Sequence, residues 1–165
     1  MKQKSRVTSS YDLYREGKTT PHIRLTIYMV LAARRWRSLL DEKLRPIEQS
    51  SARMEAMSAI LNSPPLSPQV DIAKRLRIEG PTLTRMLDSL EKDRLVERLP
   101  DPTDRRTKQL KVTEEGERVL KDIFEIADLM RGRLLHGFSE EQIARINDFF
   151  AELLERLDAG LPEEE

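Results

Sequence analysis

Residues 101–116 read Asp101-Pro102-Thr103-Asp104-Arg105-Arg106-Thr107-Lys108-Gln109-Leu110-Lys111-Val112-Thr113-Glu114-Glu115-Gly116. Pro102 with two aspartates marks a tight turn, and two adjacent arginines sit at its tip. Ahead of the turn, Leu95-Val96-Glu97-Arg98-Leu99 is a short strand-like run. Behind it, Lys108 to Val112 alternates polar and apolar residues. Thr113 is placed to cap a helix, with Glu114 and Glu115 at its positive end. The stretch predicts a hairpin that carries a cationic tip away from the body.

Two short helical segments lie upstream. Ser67-Pro68 opens the first, with Val70, Ile72, Ala73 and Leu76 as its apolar positions. Gly80-Pro81 opens the second, with Leu83, Met86, Leu87 and Leu90 facing inward. A helix-turn-helix followed by a basic hairpin is a winged helix, whose usual task is to hold duplex DNA. Further out, Thr20-Pro21 reads as cap and first residue of a long helix ending near Arg45-Pro46. Ser50 or Ser51 caps another that runs to about Leu61 and is broken by Asn62-Ser63-Pro64-Pro65. A long helix from Thr113 ends around Gly137. Ser139-Glu140-Glu141-Gln142 is a capping box for a last helix bearing Ile143, Ile146, Phe149, Phe150, Leu153, Leu154 and Leu157.

The expected class is therefore mainly α with a small β-wing, in one domain overall. Residues 1–19 are expected to form a flexible N-terminal arm. Residues 50–116 form the winged helix-turn-helix, 20–49 and 117–158 the dimerisation helices, and 159–165 an acidic tail. The terminal helices carry apolar faces too wide for a small winged helix to cover. Burying them in a second copy supplies the two-fold symmetry that paired DNA half-sites require. The alternative is a monomeric bundle packed on the winged helix.

The chain has 165 residues, 38% hydrophobic and 5% aromatic, which suits a helical protein with a sizeable core. No apolar run reaches the length of about 18 residues that a membrane span needs, so no membrane partner is expected. The basic N-terminus lacks the apolar segment of a signal peptide, so the expected location is cytoplasmic, on the nucleoid. Zero cysteines exclude disulfides, thiol nucleophiles and thiolate metal sites. His22 and His136 are the only histidines, so no metal is expected. No cofactor motif or catalytic constellation appears, and the chain is not read as an enzyme. Net charge is zero but unevenly spread. Residues 1–50 hold 11 Lys/Arg against 5 Asp/Glu, and residues 69–111 hold 11 against 8. Residues 139–165 hold 2 against 9. Local basic groups can neutralise phosphates whatever the total.

The segment from Leu66 to Gly116 resembles the MarR-type regulators, most closely their SlyA-like branch. The resemblance rests on Ile78-Glu79-Gly80-Pro81-Thr82-Leu83-Thr84-Arg85-Met86-Leu87-Asp88-Ser89-Leu90-Glu91-Lys92 and on the Asp-Pro-Thr-Asp-Arg-Arg wing. It continues more weakly over roughly Leu25 to Leu157. One departure is Asp93-Arg94 where the family often has Gly. A left-handed cap costs more without Gly, which predicts a different helix exit.

On the recognition helix, Thr82, Thr84, Arg85 and Ser89 lie on the polar side. A threonine hydroxyl can bond a base edge or a phosphate. Arg85 can make a bidentate contact to guanine, hold a phosphate, or form a surface pair with Asp88. At the wing, the resemblance implies that Arg106 enters the minor groove with Asp104 orienting it. Arg105 is read as a phosphate contact, with Lys108 and Lys111 as weaker ones. The resemblance also implies an effector pocket between the dimer helices and the winged helix. Its candidate lining is His22, Arg24, Tyr28, Arg34, Arg35, Trp36, Arg53, Met54 and Met57, a mix suited to a small aromatic acid. Against it stands the plainer reading of core methionines and solvated or phosphate-bound arginines. The function expected is a ligand-responsive homodimeric regulator, a repressor released from a pseudo-palindromic operator by an aromatic carboxylate. The alternative is an architectural DNA-binding regulator with no dedicated ligand.

Overall fold

Thr20 begins the first long element: its hydroxyl accepts from the Ile23 amide at 3.2 Å, and Pro21 occupies the first helical position. In the computed structural model, which describes residues 9–101 and 107–160, this is helix α2, Pro21–Leu44. It follows a short helix α1, Ser10–Arg15, and runs into a 3-10 turn, Arg45–Ile47, at Pro46. Helices α3 (Ser51–Leu61), α4 (Gln69–Leu76) and α5 (Gly80–Lys92) come next. The strands β1 (Val96–Pro100) and β2 (Lys108–Val112) precede α6 (Glu114–Leu134) and α7 (Glu140–Ala159). The chain divides into two compact units between Ile126 and Ala127, within α6.

Within the segment 1–19, expected as an N-terminal arm, Ser9 caps the helical turn α1; its side chain accepts from the Asp12 amide at 3.2 Å. Residues 1–8 and 161–165 lie outside the described residues.

In the first unit the core gathers Leu40 and Leu44 of α2, Met57 and Ile60 of α3, Ile72 of α4, and Leu83, Leu87 and Leu90 of α5, all buried. The Ser51 amide donates to Asp41 Oδ1 at 2.6 Å, which locks the start of α3 to the end of α2. Val70, one of the apolar positions of α4, is exposed. The buried stripe of α4 runs through Ile72 and Ala73, and Val70 falls off its side. Met86 is only half-buried for the same geometric reason.

β1 and β2 are antiparallel, with Val96 opposite Val112 and Pro100 opposite Lys108. The strand starts one residue later than the hydropathy pattern suggests, because Leu95 belongs to the exit of α5. There the Leu95 amide donates to Leu90 O and the Arg94 amide to Glu91 O, both at 2.9 Å, with Arg94 at φ 59°. This is a Schellman exit in which arginine takes the left-handed position usually given to glycine. The different exit expected from the missing Gly is therefore not what forms: buried Leu90 and Leu95 stabilise the usual geometry in spite of the side chain. Arg77 ends α4 in the same manner, with φ 52° and Ile78 N to Ala73 O at 3.1 Å. Arg94→Gly is expected to stabilise the protein by up to about 1 kcal/mol, read from urea midpoints, since the fold already requires the left-handed backbone.

Thr113 joins the wing to α6. Its hydroxyl donates to Arg94 O at 2.7 Å and accepts from the Gly116 amide at 2.9 Å. In the second unit, Ser139 and Gln142 form the expected capping box, with bonds of 2.9 and 3.2 Å. α7 has no buried residue: Ile146, Phe149, Phe150, Leu154 and Leu157 are all exposed.

Candidate nucleic-acid interface

Helix α5 presents four stripes. Leu83, Leu87 and Leu90 face the core. On one flank, at i, i+4 and i+7 spacing, lie Thr84, Asp88 and Glu91. Arg98 of β1 holds all three: its Nη1 lies 2.6 Å from Asp88 Oδ1 and 2.8 Å from Glu91 Oε2, and its Nη2 donates to the Thr84 carbonyl at 3.1 Å. The other flank carries Ser89 and the cap residue Asp93. Arg53 of α3 reaches both, donating from Nη1 to Ser89 Oγ and from Nη2 to Asp93 Oδ2, each at 2.7 Å. Its Nε donates to Gln49 Oε1 at 2.9 Å. Between the two braced flanks runs an exposed stripe with Arg85 and Lys92.

Arg85 has no partner among the described residues, so the surface pair with Asp88 does not form; Asp88 is engaged by Arg98 instead. Thr82 is exposed in the first turn of the helix. Thr84 is different. Its hydroxyl donates to Gly80 O at 3.0 Å and accepts from Gln69 Nε2 at 2.7 Å. Its proton is committed inside the motif, which leaves it an acceptor for an incoming donor. Ser89 has the opposite bias. A guanidinium only donates, so Arg53 occupies an acceptor site of Ser89 and leaves the hydroxyl proton for an outside acceptor.

The wing is anchored at its base. Asp101 N donates to Thr107 O at 3.2 Å, and Gln109 Nε2 to Asp101 Oδ2 at 2.8 Å. Leu110 N donates to Ser67 O at 3.1 Å, which ties β2 to the approach to α4. Lys108 is exposed at the start of β2. The tip residues Asp104, Arg105 and Arg106 lie outside the described residues. A groove of about 570 Å³ lies between α4 and β2, with Lys74, Arg77 and Lys108 on its walls. It adds basic groups beside the recognition helix.

The residues collected for an effector do not converge within this chain. His22 and Trp36 are 14 residues apart on one helix, roughly 21 Å at 1.5 Å per residue. The ion pair Arg37–Glu55 and the Asp41–Ser51 bond place the start of α3 beside the later turns of α2. Trp36 therefore lies at the end of α2 that meets α3, whereas His22, Arg24 and Tyr28 lie toward its other end. Arg34 and Arg35 are exposed. Met57 is fully buried in the core. Arg53 is already engaged in three bonds.

Two residues of the site escaped the sequence reading. Gln69, at the start of α4, reaches across to the recognition helix. Arg98 reads as an ordinary strand residue; the signal that points to it is the Asp88/Glu91 pair at helical spacing a few residues upstream. Among the described residues, no group of three or more metal-ligating side chains forms, and no helix is long and apolar enough to cross a membrane.

The model of the MarR family matches residues 50–108, which run from the cap of α3 through the helix-turn-helix to the first residue of β2. Among solved structures, transcriptional regulator PA3341 is 30% identical, with a TM-score of 0.73, over 82% of this chain and 99% of that one. The apo form of wild-type MarR from E. coli is 27% identical, with a TM-score of 0.68, over 83% and 98% of the two chains. A mutant of the same E. coli protein, solved in complex with operator DNA, is 25% identical with a TM-score of 0.73 over 80% and 94%. The braced recognition helix and the anchored wing are thus features of a protein that belongs to the MarR family of winged-helix, DNA-binding transcriptional regulators.

Proposed function

We propose that the protein acts as a homodimer on a pseudo-palindromic operator, as a repressor released by a small aromatic carboxylate. The observation that carries the DNA reading is the exposed Arg85 stripe of α5, held between two braced flanks, with Arg85 unpaired among the described residues. Thr82, Thr84, Ser89 and Lys108 are the other described contacts, with Asp104, Arg105 and Arg106 assigned from the sequence of the wing. E. coli MarR, which this chain is similar to, has been solved on operator DNA.

The homodimer reading is supported by the exposed apolar side chains of α7 and of the first half of α2, among them Leu25, Tyr28, Val30 and Leu31. Apolar surface on this scale is covered by a partner in a stable protein. In this reading 20–49 and 117–158 are the dimerisation segments and 50–116 the DNA-binding segment. A dimer should protect two half-sites whose centres are about 10 bp apart, one helical turn. Footprinting with sedimentation checks this, and a monomer on one asymmetric site overturns it.

Release by a ligand requires that it favour a spacing of the two recognition helices that does not fit DNA. A tenfold loss of affinity needs a differential binding energy of about 1.4 kcal/mol. Residues from both ends of α2 can share one site only if a second copy brings them together, so this reading depends on the dimer. Benzoate-type acids are expected to shift the melting temperature and weaken operator binding together. A broad panel that leaves both unchanged favours the architectural reading without a ligand, which the engagement of Arg53 and the burial of Met57 already support.

A further inference from the structure

Over residues 85–93, α5 (Gly80–Lys92) and its C-cap carry Arg85 and Lys92 against Asp88, Glu91 and Asp93. Two cations against three acids make a poor helix to press against a polyanion. Yet each acid is held by an arginine from another element. We infer that Arg98 and Arg53 are positioning residues for DNA binding, which cancel the carboxylates of the recognition helix so that a phosphate backbone can approach it. The inference rests on the DNA reading above.

The two arginines are unlike ordinary surface partners. The side chains of Arg98 and Arg53 are 16% and 13% exposed, whereas Asp88, Glu91 and Asp93 are 60%, 45% and 50% exposed. Each cation therefore lies behind the acids it holds and is fixed by three bonds. The acids are turned toward solvent, where phosphates would meet them. With both arginines in place the balance over residues 85–93 becomes four cations against three acids. Because a charge and its partner cancel at distances beyond their separation, an approaching phosphate meets mainly Arg85 and Lys92. The brace also fixes the rotation of α5, since it grips both flanks of the Arg85 stripe.

A role confined to holding the fold and a role in charge cancellation predict opposite signs for one variant. Asp88→Asn/Glu91→Gln removes the partners of Arg98. If Arg98 only holds the fold, DNA binding weakens. If it cancels charge, binding tightens, because Arg98 is left uncompensated beside the phosphates. The test is a fluorescence-anisotropy titration of the full chain on a mixed-sequence duplex of about 30 bp, at low and physiological salt. Near-ultraviolet circular dichroism checks that each variant is folded.

Arg98→Gln should bind about five- to tenfold more weakly at low salt, the loss shrinking as salt rises. Asp88→Asn/Glu91→Gln should bind more tightly than the unmodified chain. Combining Arg98→Gln with Asp88→Asn alone should return affinity to within about twofold of it, since one cation and one acid are then removed together and the charge sum is restored. Arg53→Gln, alone and with Asp93→Asn, should repeat the loss and its recovery on the other flank. If Arg98→Gln does not fold, the Asp88→Asn/Glu91→Gln variant carries the test by its sign. Weaker binding by that variant, or an Arg98→Gln/Asp88→Asn variant as weak as Arg98→Gln, overturns the inference alone. No binding of the duplex by the unmodified chain overturns the DNA reading and the inference with it.

Discussion

Gly116→Ala is expected to destabilise the protein by about 3 kcal/mol, near the upper end of what overpacking a core usually costs. A Cβ at this position would stand 2.1 Å from the carbonyl oxygen of Leu95 and 2.7 Å from Val112 Cγ1. Neither neighbour can yield easily. The Leu95 carbonyl accepts from Thr113 N at 3.0 Å, and Leu95 also closes the exit of α5. Val112 is buried at the end of β2. Relief would have to separate α6 from the wing, with loss of the Thr113 cap. Gly132, in the same helix, has open space around its Cβ position. Gly132→Ala should therefore gain roughly 0.5–1 kcal/mol from helix propensity. Urea unfolding of both variants checks the contrast, and equal effects would show that the Leu95 contact is not what demands glycine at 116.

Arg106→Ala is expected to weaken operator binding about a hundredfold, or about 2.7 kcal/mol. A slim cation placed in a narrow minor groove sits in focused negative potential, and nothing else in the wing sequence replaces it there. Lys108→Ala should cost only a few-fold, with the salt slope falling by about one counterion, as for a single phosphate contact. Arg85→Ala should lie between them, at about 1–3 kcal/mol, and relax the sequence preference at one base if it reads guanine. The anchoring of the wing base by Asp101, Thr107 and Gln109 gives the tip a fixed point of departure. Salt-controlled titrations on one operator duplex distinguish the three. Small and equal losses would contradict the separate roles.

Much of the architecture was legible in local chemistry. Thr20-Pro21, Ser50-Ser51 and Ser139-Glu140-Glu141-Gln142 mark the starts of α2, α3 and α7 because a hydroxyl next to a helix has an amide within its own reach to satisfy, and of the two serines it is Ser50 that caps α3. The hairpin was legible for the same reason: alternation, turn residues and cap lie within 16 consecutive residues, 101–116. The helical turn at Ser10–Arg15 was missed because its residues show no apolar period, although Ser9 was there to cap it.

What escaped the sequence depends on partners far apart in the chain. Arg53 meets Ser89 and Asp93 across 36 and 40 residues, and nothing in the neighbouring sequence points to these two partners. Arg98 finds Asp88 only because the Schellman exit at Arg94 turns the chain back along α5. The left-handed backbone at Arg94 is itself a tertiary outcome: burial of Leu90 and Leu95 outweighs the local preference for glycine. The sequence by itself determined where helices begin, where the wing turns and which faces are apolar, because those are contests among neighbours. Only the tertiary structure decided which charges of the recognition helix are left facing outward, because cancelling a carboxylate depends on which cation the fold brings beside it.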